Sequence, residues 1–262
     1  MHLNGTETLL MSQQGPNLFV TFNRPESRNA MNAKMVDELI ALFEQLPQNP
    51  DIRAIVFRGA AGHFCAGGDI KDMASARSQP DGIYKLNRQY GKMLQIANHA
   101  QVAVICVLEG AVMGGGFGLA CVSDIAIIAE TAQFALPETS LGILPAQIAP
   151  FVVQRVGLTQ ARRLALTGAK LNGTQAYEIG LGHFLEKTDN IENCLTTVLE
   201  QIKRCAPAAN AKTKQLLFNT LDTPLDQLLD QAARDFAAAI AGNEGIEGAT
   251  AFIQKRLPNW AQ

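Results

Sequence analysis

VAVICVLEGAVMGGGFG, residues 102–118, is the most informative part of the chain. It begins as a run of branched apolar residues typical of a buried strand, and it ends with four glycines in five residues before a helical-looking segment. Glycine in regular structure costs about 0.5–1 kcal/mol relative to alanine, so this cluster predicts a backbone that another group approaches closely. The N–H groups and dipole of a helix N-terminus would suit a developing negative charge there.

Two nucleotide-binding motifs are excluded at this cluster. A dinucleotide fingerprint needs glycine at its first, third and sixth positions, whereas counting from Gly114 or Gly116 places Leu119 or Cys121 at the sixth. A phosphate loop needs a lysine after the glycines, and none follows.

A second glycine-bearing turn, GHFCAGGD at residues 62–69, follows another strand-like run at 54–58. Two such turns can face one another and aim two backbone N–H groups at one point, as an oxyanion hole requires. The alternative is a pair of tight strand-to-helix turns in an ordinary layered fold, where glycine supplies only a positive φ.

Apolar patterning along the chain predicts an α/β fold. Strand-like runs at 18–22, 54–58, 102–108 and 124–129 alternate with helical patterns at 31–46 and 84–99. From residue 159 onward strand signals nearly vanish, and helices are expected at 159–167, 191–204, 225–240 and 245–255. Thr223 is the expected N-cap of the third of these, with Pro224 at its first helical position. One stripe of that helix is apolar and must be buried by its own chain or by another subunit.

Composition and charge limit the function classes. The chain has 262 residues, 47% of them hydrophobic, and a net charge of -2 that gives no reason to expect nucleic-acid binding. We expect no membrane span, because Glu109 and five glycines interrupt the apolar region 102–122. The first six residues lack the pattern of a secretory signal. Five cysteines without CxxC spacing suggest reduced core thiols, and hence a cytoplasmic protein.

Nucleophilic and metal chemistry find little support. Cys65 lies in the first glycine turn, but only His63 is near it in sequence as a base. The four histidines show no HExxH or paired ligand spacing, so we expect no metal site.

Six sequence blocks, taken together, resemble the crotonase (enoyl-CoA hydratase/isomerase) family from end to end. They occur in the family's order: NRPESRNAM at 23–31, HFCAGGDI at 63–70, residues 110–116 with Asp124 after them, AQFALPE at 132–138, LGILP at 141–145 and EGATAFIQKR at 247–256. The resemblance implies an α/β spiral of strand-strand-helix repeats in residues 1–200, which carries an acyl-CoA site. Residues 201–262 would form a C-terminal helical region for contacts in a homotrimer, often paired into a hexamer.

The resemblance also assigns roles to residues. It implies an acyl-CoA thioester substrate, with CoA as part of the substrate and no separate cofactor, whose thioester oxygen is held by the amides of Ala66 and Gly115. Phe252 and Lys255 of a neighbouring subunit would lie at the ADP end of CoA. The full set of expected substrate-binding residues is Arg28, Gly68, Asp69, Ile70, Gly114, Gly118, Gln147, Phe252 and Lys255.

Glu138 is the candidate acid/base. A carboxylate fixed by the preceding Pro137 in apolar surroundings can have a raised pKa, although it could instead be a carboxylate at a helix start, stabilised by the dipole. In crotonase hydratases this position is one of two catalytic carboxylates. The other falls at Gly118 here, so the site resembles that of the family's single-glutamate enoyl-CoA isomerases.

The segment after residue 144, PAQIAPFVVQR, together with the missing second carboxylate, resembles bacterial methylglutaconyl-CoA and isohexenylglutaconyl-CoA hydratases of leucine and acyclic-terpene catabolism. We therefore expect hydration of a branched, glutaconyl-type 2-enoyl-CoA. The branch would fill space left by Gly118, and a distal carboxylate would meet Gln147, Lys85 or Arg88. The alternatives are a Δ3,Δ2-enoyl-CoA isomerase and a catalytically idle acyl-CoA-binding protein.

Overall fold

A computed structural model describes residues 6–262, and the four predicted strands become neighbours in one sheet. Residues 1–5, which contribute to the expectation of no secretory signal, lie outside the described part of the chain. The strands are β1 (Leu9–Gln14), β2 (Asn17–Phe22), β3 (Ala54–Gly59), β4 (Ala103–Leu108), β5 (Ala111–Met113), β6 (Ile125–Ala129), β7 (Gln133–Ala135), β8 (Leu171–Asn172) and β9 (Phe184–Glu186).

The larger sheet has the order β1-β2-β3-β4-β6-β9, with β1 antiparallel to β2 and every later pair parallel. Ile55 pairs with Leu18 on one side and with Val104 on the other. Strands β3, β4 and β6 are almost completely buried. A parallel sheet covered on both faces explains why these strands read as unbroken apolar runs.

A second, smaller layer lies beyond the carboxyl ends of these strands. Strand β5 pairs with β7 in parallel, and β7 pairs with β8. Two isolated parallel bridges, Cys65 with Val112 and Met31 with Gly68, extend the same layer to the earlier turns of the chain. Each successive turn therefore contributes backbone to both layers, which is the strand-strand-helix spiral that the resemblance implied.

Helices alternate with the strands along the chain and succeed them at its C-terminal end. They are α1 (Ala33–Gln45), α2 (Ile70–Ala76), α3 (Gly82–Asn98), α4 (Gly115–Val122), α5 (Ala149–Thr167), α6 (Gly173–Glu178), α7 (Ile191–Arg204), α8 (Pro207–Asn219), α9 (Leu225–Ala241) and α10 (Asn243–Ile253).

Three local expectations were wrong. Helix α5 begins at Ala149 rather than at residue 159, because the chain continues helically on both sides of Gly157, which has a φ of 74°. Strands β8 and β9 form after residue 159, where strand signals are weak, because they pair with strands already in place. Pro224, not Thr223, is the N-cap residue of α9, and no side chain caps that helix.

The C-terminal helices leave apolar surface uncovered. On α9, Leu228 is buried, whereas Leu225, Leu229, Phe236 and Ile240 are exposed. The expected division at residue 200 falls inside α7, which packs against β6 and β9 of the spiral. That division stays a prediction. In the part of the chain that the structure describes, no helix is long and apolar enough to cross a membrane.

Candidate active site

Residues from three consecutive turns of the spiral line one cavity of about 580 Å³. Gly68 forms the isolated β-bridge with Met31, shortly before α2. Gly115 is the first residue of α4, and Glu138 comes shortly after β7. All three line this cavity. The two glycine-bearing turns therefore contribute to one cavity wall, which favours the first of the two interpretations that the sequence left open.

The first turn requires a correction to the predicted oxyanion donor. The Ala66 N–H donates to the Arg28 carbonyl oxygen at 3.0 Å, and Ala66 does not line the cavity. An amide committed to a carbonyl is not free to bind a thioester oxygen. Two residues further on, the Gly68 N–H donates no hydrogen bond to any of residues 6–262. The free amide of this turn is that of Gly68.

The second turn leaves the amide of Gly115 unbonded within residues 6–262, and its role as an oxyanion donor stays a prediction. Gly115 is the first residue of α4, so its N–H has no partner within the helix, and none is found elsewhere in the described residues. Gly114 allows the close approach of the acid/base candidate, because a Cβ on it would lie 2.9 Å from Glu138 Oε1. Its φ of 47° also favours glycine.

Glu138 has an unpaired carboxylate oxygen. It opens a short helical turn after Pro137, and its Oε2 atom is buried without a hydrogen-bond partner among residues 6–262. Burial raises the pKa of Glu138, partly opposed by a hydrogen bond from its own backbone amide. A carboxyl group with a raised pKa and a free oxygen is suited to accept and return a proton.

The other carboxylates that line the cavity hold the structure together. Asp69 accepts from Arg24 at 2.8 Å and from the Lys71 N–H at 2.8 Å. Burial opposes ionisation of Asp69, but these two donors outweigh it and lower its pKa. Asp72 accepts from the Ala33 N–H at 2.6 Å. Glu138 is thus the carboxylate available for chemistry among the described residues of the cavity wall.

Gly118 does not leave the space that the sequence suggested, which is a second correction. A Cβ at this position would lie 2.3 Å from Ile148 Cγ2 and 3.3 Å from the Tyr90 hydroxyl oxygen. Gly118 is buried and does not line the cavity. The volume of a second carboxylate is therefore already occupied by Ile148 and Tyr90, and a substrate branch cannot enter it.

Tyr90 is a site residue that the sequence analysis missed. It lies on α3, lines the cavity, and donates its hydroxyl proton to the Gly115 carbonyl oxygen. Burial raises the pKa of Tyr90 well above its usual value, and the Cys65, Cys121 and Glu138 charges add to the effect. The signal that could have found it is helical spacing, because Ile83, Asn87 and Tyr90 share one face of α3 and all line the cavity.

The remaining substrate-binding predictions divide into two groups. Asp69 and Gln147 line the cavity, and Gln147 donates to the Asn87 side chain at 3.0 Å. Four others do not line it within one protomer, namely Arg28, Ile70, Phe252 and Lys255. The two segments 26–28 and 252–255 were expected to meet only across a subunit contact, so their role stays a prediction.

The two cations that were expected near a distal substrate carboxylate do not line the cavity. Lys85 and Arg88 lie on α3 but outside the cavity wall. Instead Arg77, just after α2, lines the cavity. Its guanidinium has no carboxylate partner and no hydrogen bond among residues 6–262. Helix spacing alone could not find this residue because it lies outside α3.

Other chemistries lack a site within the described chain. Burial raises the pKa of the Cys65 thiol to about 11, so this thiol is not a nucleophile near neutral pH. Four of the five cysteines are buried and all are unpaired, with Cys205 exposed. No group of three His, Cys, Asp or Glu residues is arranged to hold a metal ion in residues 6–262. A second cavity of about 600 Å³, beside His99 and Pro207, contains none of the predicted site residues.

Comparison with known proteins agrees with the geometry. Residues 15–262 match the model of the enoyl-CoA hydratase/isomerase family. Pseudomonas aeruginosa AtuE has a solved structure similar to this chain, with a TM-score of 0.96, 57% identity, and coverage of 98% of this chain and 100% of that one. An enoyl-CoA hydratase/isomerase from Marinobacter aquaeolei gives a TM-score of 0.96 at 54% identity, with the same coverage.

A more distant relative is also named as an enoyl-CoA hydratase. The probable enoyl-CoA hydratase echA8 of Mycobacterium tuberculosis is 30% identical, over 97% of this chain and 98% of its own length. These full-length matches confirm the predicted crotonase-like α/β spiral. The chain belongs to the enoyl-CoA hydratase/isomerase, or crotonase, family.

Proposed function

We propose that this protein adds water to the double bond of a branched, glutaconyl-type 2-enoyl-CoA. The observation that carries the proposal is the buried, unpartnered Oε2 atom of Glu138, in the same cavity wall as two amides without acceptors. In this proposal Glu138 is the acid/base, and the N–H groups of Gly68 and Gly115 bind the thioester oxygen. Such a pair of preorganised donors stabilises charge that develops on that oxygen.

The chemistry balances with one carboxylate. Glu138 accepts a proton from water as the water oxygen bonds to C3 of the enoyl group. The C2=C3 π electrons then move toward C2, and negative charge develops on the thioester oxygen between the two amides. Glu138 returns the proton to C2, and the thioester carbonyl forms again. The carboxylate ends in its starting state, so no second acid/base is needed.

Arg77 and Gln147 support a substrate that carries its own distal carboxylate. Both line the cavity, and Arg77 is a cation without an anionic partner in the described residues. Apolar side chains at Ile143 and Leu144, in the same wall and exposed to solvent, suit a hydrocarbon branch. A charged hydrogen bond from Arg77 to an acyl carboxylate would contribute about 1.5–3 kcal/mol.

The substrate proposal is tested with a panel of thioesters. We expect 3-methylglutaconyl-CoA, or a longer isoprenoid analogue, to lose its enoyl absorbance and gain the mass of one water. Its kcat/KM should exceed that of crotonyl-CoA by about tenfold or more, which equals roughly 1.4 kcal/mol of transition-state binding. A better rate with crotonyl-CoA would contradict the branched-acid assignment.

Arg77 gives a sharper test of the distal carboxylate. Arg77→Met should lower kcat/KM for 3-methylglutaconyl-CoA by about 10–100-fold, following the strength of a charged hydrogen bond. The rate with the uncharged crotonyl-CoA should change less than about twofold. Arg88→Met, on the neighbouring helix but outside the cavity, is the matched control. Equal losses with both substrates would contradict the proposed contact.

A single available carboxylate also favours a second candidate, a Δ3,Δ2-enoyl-CoA isomerase. Glu138 alone could move a proton between two carbons, and Asp69 and Asp72 are both engaged in hydrogen bonds. The same assays separate the functions, because isomerisation of a 3-enoyl-CoA creates the conjugated absorbance that hydration removes. An idle acyl-CoA-binding protein would change neither.

We also propose a homotrimer, alone or paired into a hexamer, as the active assembly. The exposed apolar residues on α9 and α10 would be buried by a neighbouring subunit; they include Phe236, Ile240, Ile246 and Phe252. Light scattering should give about three or six times the chain mass of 28.2 kDa. A monomer at micromolar concentration would contradict this assembly. The free cysteines fit a cytoplasmic location.

The subunit contact would also complete the CoA site. Arg28, with Phe252 and Lys255 of the neighbouring subunit, is proposed to meet the ADP end of CoA. Lys255→Ala should then raise KM with little change in kcat, and the effect should shrink at high salt because exposed charges are screened. Lys170→Ala, another surface lysine, is the control. An unchanged KM at low ionic strength would make Lys255 an ordinary surface charge.

A further inference from the structure

We propose that Tyr90 positions the attacking water, in the place where this chain lacks a second carboxylate. The inference rests on the proposed hydratase function and deepens it. Tyr90 lines the same cavity as Glu138 and Gly115, and its hydroxyl oxygen is 3.3 Å from where a Cβ at residue 118 would begin. A polar group thus remains beside Gly118 although the side chain there is absent.

The hydrogen-bond capacity of the phenol gives it a defined role. The single hydroxyl proton is donated to the Gly115 carbonyl oxygen, so the oxygen can act only as an acceptor toward the cavity. A water molecule has two protons to donate. One would go to Tyr90 Oη and the other to the unpartnered Glu138 Oε2. Both protons are then engaged, and a lone pair of the water is left for C3 of the substrate.

The surrounding glycines fix the phenol in this position. A Cβ on Gly115 would lie 3.2 Å from Tyr90 Oη and 3.3 Å from the ring carbon that carries it. The ring therefore packs directly on the first turn of α4, next to the Gly115 amide. The hydrogen bond to the Gly115 carbonyl oxygen holds the hydroxyl, and Ile148 packs against Gly118 beside it.

Tyr90 does not act as a base itself. Its pKa is raised well above the usual value by burial, with smaller contributions from Cys65, Cys121 and Glu138. The phenol stays neutral over the working pH range, which suits a fixed hydrogen-bond partner. The proton transfer remains with Glu138, whose carboxyl has the free oxygen.

Two activities separate water positioning from a general structural role. Hydration needs the water, whereas exchange of the α-hydrogen of a saturated acyl-CoA in D₂O needs only the acid/base and the oxyanion amides. Tyr90→Phe should lower the kcat of hydration by about 10–100-fold, as expected when a reactant loses its alignment. The exchange rate, followed by mass spectrometry, should stay within about twofold of the wild type.

Tyr177→Phe on α6 is the matched control, because it removes a tyrosine hydroxyl outside this cavity. Circular dichroism and thermal unfolding confirm that each variant is folded. Unchanged hydration in Tyr90→Phe, or equal loss of hydration and exchange, would overturn the water-positioning role while leaving the hydratase proposal intact. A wild-type enzyme that hydrates none of the thioesters would overturn both.

Discussion

The two glycine-bearing turns are alike in sequence, but the structure uses their glycines differently. In the turn at 62–69, Gly62 and Gly67 have positive φ values of 72° and 106°, and their positions meet little or nothing closer than 3.4 Å. These two glycines shape the backbone, and a Cβ on the third, Gly68, would meet only the flexible end of the Met73 side chain, at 2.6 Å. In the second turn, by contrast, a Cβ added to Gly116 would collide with a neighbour, because it would lie 2.7 Å from Cys65 Cβ.

The second turn is therefore a packing surface as well as an amide donor. The side chain of Glu138 packs against Gly114, that of Tyr90 against Gly115, and that of Ile148 against Gly118. A glycine cluster in a sequence thus marks a close approach to the backbone, without saying whether a ligand or the protein itself makes it. Four experiments test whether the two turns differ in this way.

The largest effect is expected where the two turns converge on the carboxylate. Glu138→Gln keeps the shape of the side chain but cannot accept a proton, so turnover should fall by about 10²–10⁴-fold. Binding of the acyl-CoA, measured by calorimetry, should persist. Near-normal turnover would show that Glu138 is not the acid/base.

The first turn is tested by removing its amides one at a time. Gly68→Pro deletes the free N–H and should lower kcat by about 10²–10³-fold. Ala66→Pro deletes an N–H already bonded to Arg28, so it should lower stability while the folded enzyme keeps most of its kcat. Proline can distort either turn, and both variants are therefore compared per folded molecule. The reverse pattern would restore Ala66 as the donor.

The second turn is tested through its packing. Gly118→Ala places a methyl group 2.3 Å from Ile148 Cγ2, and such overpacking typically costs about 1–3 kcal/mol of unfolding free energy. In an Ile148→Ala background the same change should cost clearly less, with a coupling energy of at least about 0.5 kcal/mol. Denaturant unfolding of the four proteins measures both. Additive losses would mean that Gly118 does not pack against Ile148.

The smallest effect concerns the pH dependence of stability. The folded state raises the pKa of Glu138, so it binds the proton more tightly than the unfolded chain does. Stability is therefore lost as pH rises from the ordinary glutamate pKa of about 4.3 through the raised value. Above that window Glu138→Gln should unfold at a higher temperature than the wild type, by about 2–4 °C for each kcal/mol gained.

The measurement is thermal unfolding of both proteins at several pH values. The difference should shrink as the pH falls toward 4, because the wild-type carboxyl then becomes neutral too. A variant that is equally or less stable at pH 8 would show that the charged Glu138 is not strained in the fold.

Much of the site could be read from the chain. The α/β alternation was predicted from local pattern, and the resemblance indicated that Gly115 and Glu138 belong to one site. The structure places both in one cavity wall, and their catalytic roles stay predictions. The predicted strands were correct to within a residue or two at their ends. Strands of a parallel sheet are buried on both faces, and their sequences are therefore continuous apolar runs that are easy to recognise. The missed elements β8 and β9 are short strands whose pairing depends on partners distant in sequence.

Glycine spacing and apolar runs are local properties of the chain, and they were enough to indicate the strands and the two glycine-bearing turns. Which amide is free and what fills the space at Gly118 depend on contacts that form only in the folded protein. Ala66 is engaged because the Arg28 carbonyl oxygen reaches it from an earlier turn of the spiral. Tyr90 and Ile148 reach Gly118 from α3 and from the start of α5. Hydrogen bonds and packing between segments distant in sequence depend on distances in space, which no local pattern in the chain records.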